Sequence, residues 1–155
     1  MKLKCINFLT FTYLVLFVFL LVLTGSEDPM AMARGKAPAG NMWVLARVIS
    51  AEAKGEPYVG QVAVGAVIIN RVESGRFPTT LSGVIYQPGA FESVSNGGIN
   101  LPPSQSSINA ARDALNGWEP SNGALFFFNP AKNVTSKWIW SRPIIKKIGQ
   151  HLFLR

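Results

Sequence analysis

The chain has 155 residues and carries 15 lysines and arginines against 8 acidic residues, a net charge of +7. Its first two dozen residues are too apolar to belong to a soluble core, which leaves about 115 to 120 residues, enough for one compact domain and too few for two. Cys5 is the only cysteine, so disulfides, thiol nucleophiles and thiolate metal sites are excluded from everything that follows it.

The opening Met1-Lys2-Leu3-Lys4 is followed by a nearly uncharged run from Cys5 to Leu23 and by Ala31-Met32-Ala33 before Arg34. This is the basic, hydrophobic and small-residue order of a secretory signal. Residues 1–33 are therefore expected to be a signal peptide or, because the apolar run of residues 6–23 reaches a length that can span a bilayer, an N-terminal membrane anchor. Both alternatives put the domain outside the cytoplasmic membrane. Residues 34–40, at the end of a stretch rich in Pro, Gly and Ala, read as a linker, and 41–155 as the folded domain. That domain holds 11 basic and 6 acidic residues. An exported basic domain of this kind suits a polyanionic partner beyond the membrane rather than nucleic acid, and it is expected to act as a monomer.

Within the domain, Val44, Leu45, Val48 and Ile49 recur at helical spacing after Asn41, an N-cap candidate, and Gly55 stops that helix. Pro57 opens a second helix, whose wide apolar face (Val59, Val62, Ala63, Ala66, Val67, Ile69) predicts a mostly buried element running to Asn70 or Val72. Leu81 to Tyr86 forms a short helix before the turn Gln87-Pro88-Gly89. Ser104 caps a third clear helix that ends at Gly117. Leu125 to Phe128 reads as a buried strand closed by Asn129-Pro130, and His151 to Leu154 as another. Helices early and short strands late predict an α+β domain with a mainly helical core.

The residue inventory restricts the chemistry. Zinc hydrolases need several His, Cys or carboxylate ligands, and the domain's one histidine, His151, lies in an apolar run near the C-terminus, where a structural role is expected. No metal and no cofactor is expected. A serine hydrolase would lean on the same histidine without a nucleophile-elbow motif. What remains is carboxylate chemistry from Glu52, Glu56, Glu73, Glu92, Asp113 and Glu119.

Glu52 follows Leu45, Val48 and Ile49 on the apolar stripe of the first helix and should point toward the core. Burial together with the negative end of the helix dipole should favour its protonated form, which protonation of a glycosidic bond requires. The alternative for Glu52 is a buried carboxylate satisfied by an arginine or a backbone amide. Glu56 is separated from it by Gly55 and reads as an N-cap or first-turn acid of the second helix, and as the secondary carboxylate candidate.

The block Ala46-Arg47-Val48-Ile49-Ser50-Ala51-Glu52-Ala53-Lys54-Gly55-Glu56-Pro57, then Gly60-Gln61-Val62-Ala63-Val64 and Asn70-Arg71, resembles the SleB-type cell-wall hydrolases, the spore cortex-lytic enzymes and their relatives. Phe77-Pro78, Val84 to Phe91, Ala110-Ala111-Arg112, Gly117-Trp118, Phe128-Asn129-Pro130 and Ser136-Lys137-Trp138 extend the likeness over about residues 41–155.

The resemblance implies a lysozyme-like fold close to goose-type lysozymes and lytic transglycosylases, with Glu52 as catalytic acid. The implied substrate is the glycan strand of peptidoglycan, in spore cortex with its muramic δ-lactam or in vegetative wall. The family is often labelled N-acetylmuramoyl-L-alanine amidase, a label the inventory argues against. A wall-binding module without activity is the alternative from another class. Tyr86, Gln87, Phe91, Asn129, Trp138 and Trp140 are candidates for sugar binding, since aromatic faces and amides suit a ring with apolar and hydrogen-bonding surfaces; core packing is the competing role for the aromatics.

Overall fold

The computed structural model describes residues 39–155, apart from 133 and 135. The expected signal or anchor (1–33) and residues 34–38 of the expected linker (34–40) lie outside the described residues. Among the described residues no helix is long and apolar enough to cross a membrane.

Among the described residues five α-helices precede the strands: α1 (Ala39–Glu52), α2 (Tyr58–Glu73), α3 (Leu81–Ile85), α4 (Glu92–Ser95) and α5 (Gln105–Leu115), with a one-turn 3-10 helix at Gly98–Asn100 before α5. Then follow β1 (Phe126–Phe128), a 3-10 helix at Lys137–Ser141, β2 (Ile144–Ile148) and β3 (His151–Leu154).

The central layer is α1, α2 and α5. Leu45, Val48, Ile49, Val62, Val64, Val67 and Ile68 are fully buried, and each such side chain contributes about 1.5–3 kcal/mol relative to exposure. Gly65 lets the three helices approach: a Cβ there would lie 2.9 Å from Ile49 Cδ1 and 3.1 Å from Ala114 Cβ. Gly55 takes a positive φ of 81° and breaks the chain between α1 and α2, as expected. Pro57 stands one residue before α2 as its N-cap. Ser104 caps α5 by accepting the Ser107 N–H at 3.1 Å.

The sheet has the order β1-β3-β2 and both pairings are antiparallel. Its register places Phe127 opposite Phe153, and both pack toward the helical core; Phe126, Phe128, Leu152 and Leu154 turn to the other face. Two residues of α2 fasten the chain leading into β1. Asn70 Nδ2 donates to Ala124 O at 3.0 Å, and Arg71 Nε donates to Leu125 O at 2.7 Å. The Arg71 guanidinium is buried with Phe77, Phe91 and Phe126 around it at 5.2–5.5 Å, so cation–π attraction stands in for a carboxylate partner. Burial lowers its pKa to about 10, which leaves it charged at neutral pH.

A carboxylate-walled cleft as candidate active site

A cleft of about 670 Å³ opens where the C-terminal turn of α1, the start of α4 and the start of α5 converge. Glu52, the last residue of α1, lines it. Its Oε1 accepts the backbone N–H of Ser93 at 3.0 Å. The carboxylate is thus anchored by a backbone amide, one of the two partners foreseen for it. Its position differs from the expectation of a core-facing side chain. Ala53, four residues after Ile49, is 1 % exposed and continues the buried stripe, whereas Glu52 stands half-buried at the cleft wall.

Beside Ala51, Leu101 and Pro102, the wall carries an ordered set of polar groups. Gln61 donates to Glu56 O at 3.1 Å and accepts the hydroxyls of Ser106 and Ser107 at 3.0 and 3.3 Å. The backbone N–H of Ser104 donates to Ser50 Oγ at 3.2 Å. Arg47, Lys54 and Lys132 bring cations to the cleft that Glu52 lines, and Glu92 adds a second carboxylate to it. Ser93 itself is buried and its Oγ has no hydrogen-bond partner.

Glu56, the secondary carboxylate suggested by sequence, is elsewhere. It is 7 % exposed, does not line the cleft, and accepts the Gln150 N–H on Oε2 at 3.0 Å while Oε1 lies 3.4 Å from His151 Nδ1. It precedes α2 and faces the β2–β3 turn, so it joins two elements instead of capping one. Sequence reasoning kept Glu92 among six carboxylates without singling it out, because nothing in a four-residue helix gives an apolar period that would show which way it faces.

The six candidates for sugar binding do not converge on the cleft. Phe91 is 4 % exposed and packs on the Arg71 guanidinium and Phe127. Asn129 is buried, donates to Gln150 Oε1 at 3.1 Å and accepts the Ala131 N–H at 2.9 Å. Tyr86 and Gln87 face solvent beyond α3. Trp138 and Trp140 are about half exposed and pack edge-on against Phe126 and Phe128.

His151 is buried, with Phe127 edge-on at 5.3 Å and Glu56 alongside. Among the described residues no three His, Cys, Asp or Glu side chains gather as metal ligands.

A family model described as Cell Wall Hydrolase matches residues 55–154. The spore cortex-lytic enzyme of Bacillus cereus is 54 % identical over 112 residues, covering 72 % of this chain and 43 % of that protein. That of Oceanobacillus iheyensis is 53 % identical over 132 residues, 85 % of this chain and 47 % of that protein. The chain therefore spans less than half the length of these curated relatives. Cell wall hydrolase CwlJ of Bacillus subtilis is 32 % identical over 129 residues, 79 % of this chain and 89 % of that protein.

Among solved structures, the catalytic domain of the Bacillus cereus SleB protein superposes with a TM-score of 0.72 at 50 % identity, covering 78 % of this chain and 94 % of that one. The catalytic domain of the germination-specific lytic transglycosylase SleB from Bacillus anthracis gives 0.73 at 50 % identity, with 78 % and 98 % covered. The fold is the lysozyme-like α+β fold expected from the sequence. On the family match and on these relatives alike, the chain belongs to the cell-wall hydrolase family.

Proposed function

We propose that this protein is an exported peptidoglycan-lytic enzyme that cleaves glycan strands next to muramic residues, with Glu52 as its acid and base. The observation that carries this reading is the Glu52 carboxylate held by the Ser93 N–H in the wall of an open cleft with both polar and apolar lining, in a chain half identical to the SleB catalytic domains. Glu52 gives its proton to the oxygen that links a muramic residue to the next glucosamine, and the bond breaks as oxocarbenium character builds at the sugar. The ionised Glu52 then takes a proton from the nucleophile.

When the nucleophile is the sugar's own 6-hydroxyl, the product is a 1,6-anhydro ring and the enzyme is a lytic transglycosylase. That hydroxyl is held near the reacting carbon by the substrate, and such proximity is equivalent to effective molarities of roughly 10⁵ M or more. A second reading has one observation in its favour: Glu92 lines the same cleft and could hold a water, which would make the enzyme a muramidase.

Glu52→Gln keeps the shape and removes the proton, so lysis of purified peptidoglycan should fall by orders of magnitude with little change in Tm. Mass analysis of wild-type digests should find mostly 1,6-anhydromuramic ends. Reducing muramic ends that disappear in Glu92→Gln would favour the muramidase, and free alanine amino groups on the stem peptides would overturn the glycosidic assignment.

A further inference from the structure

The charge of the domain is divided unevenly along the chain. Residues 41–119 hold five basic and six acidic side chains, whereas residues 120–155 hold six basic ones (Lys132, Lys137, Arg142, Lys146, Lys147, Arg155) and no acid. The whole positive excess of the domain thus sits on the part that builds the sheet and the Lys137–Ser141 helix.

The outer face of that sheet is Phe126, Phe128, Leu152 and Leu154, with Ile144 and Lys147 of β2 continuing it through their pairing with Leu154 and Leu152. The Lys137–Ser141 helix lies over the β1 side. Trp138 meets Phe126 edge-on at 5.3 Å between centroids, and Trp140 meets Phe128 at 4.6 Å. The Arg142 guanidinium is 4.1 Å from the Phe126 ring and 5.0 Å from that of Trp138. Trp138, Trp140 and Ile144 nonetheless stay 51 %, 53 % and 58 % exposed, and Lys137 and Lys147 are exposed beside them. None of these residues lines the Glu52 cleft.

Two indoles fixed by edge contacts lose little entropy on meeting a ligand and offer apolar area with a polar N–H, a combination that suits the apolar face of a pyranose. Cations beside them suit carboxylates. A bare polyphosphate would use the cations and leave the indoles without a partner, whereas a sugar chain bearing carboxylated peptides uses both.

We propose that the exposed surface formed by the Lys137–Ser141 helix where it covers this sheet is a second peptidoglycan-docking surface, separate from the cleft, that holds a glycan strand through Trp138 and Trp140 and its stem-peptide carboxylates through Lys137 and Lys147. It rests on the peptidoglycan reading above, since it takes the same polymer as its ligand. It retains the enzyme on insoluble wall while the cleft works on a strand.

The test uses the full chain. Binding to insoluble purified peptidoglycan is measured by sedimentation in the Glu52→Gln background, where nothing is digested. Cleavage of short soluble glycan oligomers is measured with Glu52 intact. Trp138→Ala/Trp140→Ala should weaken sedimentation at least fivefold and leave short-oligomer cleavage within twofold. Lys137→Gln/Lys147→Gln, which alters only exposed side chains, should weaken sedimentation severalfold and reduce its salt dependence; this pair decides if the tryptophan variant fails to fold. Unchanged sedimentation in a folded variant overturns the proposal, as does a parallel loss on short oligomers. Equally tight binding of polyglycerol phosphate or DNA would mean unspecific attraction of polyanions and would overturn it too. A wild-type protein that sediments through its tryptophans yet releases no glycan fragments would refute the enzymatic reading and leave the docking surface standing.

Discussion

The buried pair of Glu56 and His151 shows how single residues in this chain serve the scaffold while resembling machinery. Burial pushes the His151 pKa down; the Glu56 carboxylate 3.4 Å away opposes that shift, Lys132 adds to it and Glu52 opposes it. Burial is the largest of these, so the balance disfavours the imidazolium. Below its ordinary value of about 6.5 the unfolded chain takes up a proton that the folded chain resists, and the folded state loses stability as pH falls from there toward the depressed value. The slope for one proton is at most about 1.4 kcal/mol per pH unit. His151→Gln should therefore flatten the fall in Tm between pH 7 and pH 5 relative to wild type, and identical slopes would mean that His151 does not titrate differently in the two states. The structural role of His151 was legible because one histidine in an apolar run has no partners for catalysis. Glu52 was legible only as a residue singled out by the family block around it, since its helical phase pointed it to the core. Its orientation was not, because the Ser93 amide that holds it comes from 41 residues away.

Among the elements, the three long helices could be read from periodicity, and β2 could not. Ile144 and Ile145 stand side by side, and the pairing with β3 slips between Ile144 and Lys146. This bulge removes the period of two by which a half-buried strand is recognised. The two-residue turn that follows, Gly149-Gln150, is where the hairpin meets the segment between α1 and α2. Gly149 has φ of +57°, and a Cβ there would land on the Glu56 carboxylate and 2.7 Å from Pro57 Cδ. Positive-φ strain of about 1–2 kcal/mol and overpacking of about 1–3 kcal/mol act together at this position. Gly149→Ala should thus lower stability by about 2–5 kcal/mol in denaturant unfolding. Adding Glu56→Ala should recover part of the overpacking and none of the strain, so the two changes should be non-additive. Additive effects in that cycle would show that the turn does not press on Glu56.

For the molecule as a whole, the distribution of chemistry-bearing side chains favours the proposed cut in sugar over a cut in peptide. An amidase built on zinc keeps three protein ligands and an open position at the metal. The cleft offers two carboxylates, Glu52 and Glu92, and no histidine or cysteine. The single histidine is enclosed by Phe127, Phe153 and Glu56 behind it. The only thiol is Cys5, ahead of the folded domain. Proton transfer through Glu52 needs neither group. Release of glycan fragments from purified peptidoglycan should accordingly stay within about twofold of its untreated rate after exhaustive chelation and after thiol alkylation. Loss of lysis in chelator that zinc restores, accompanied by new alanine amino groups, would transfer the activity from the glycan to the peptide and would make Glu52 a structural carboxylate. Lysis that survives both treatments but disappears in Glu52→Gln assigns the reaction to the carboxylate that Ser93 holds in the cleft.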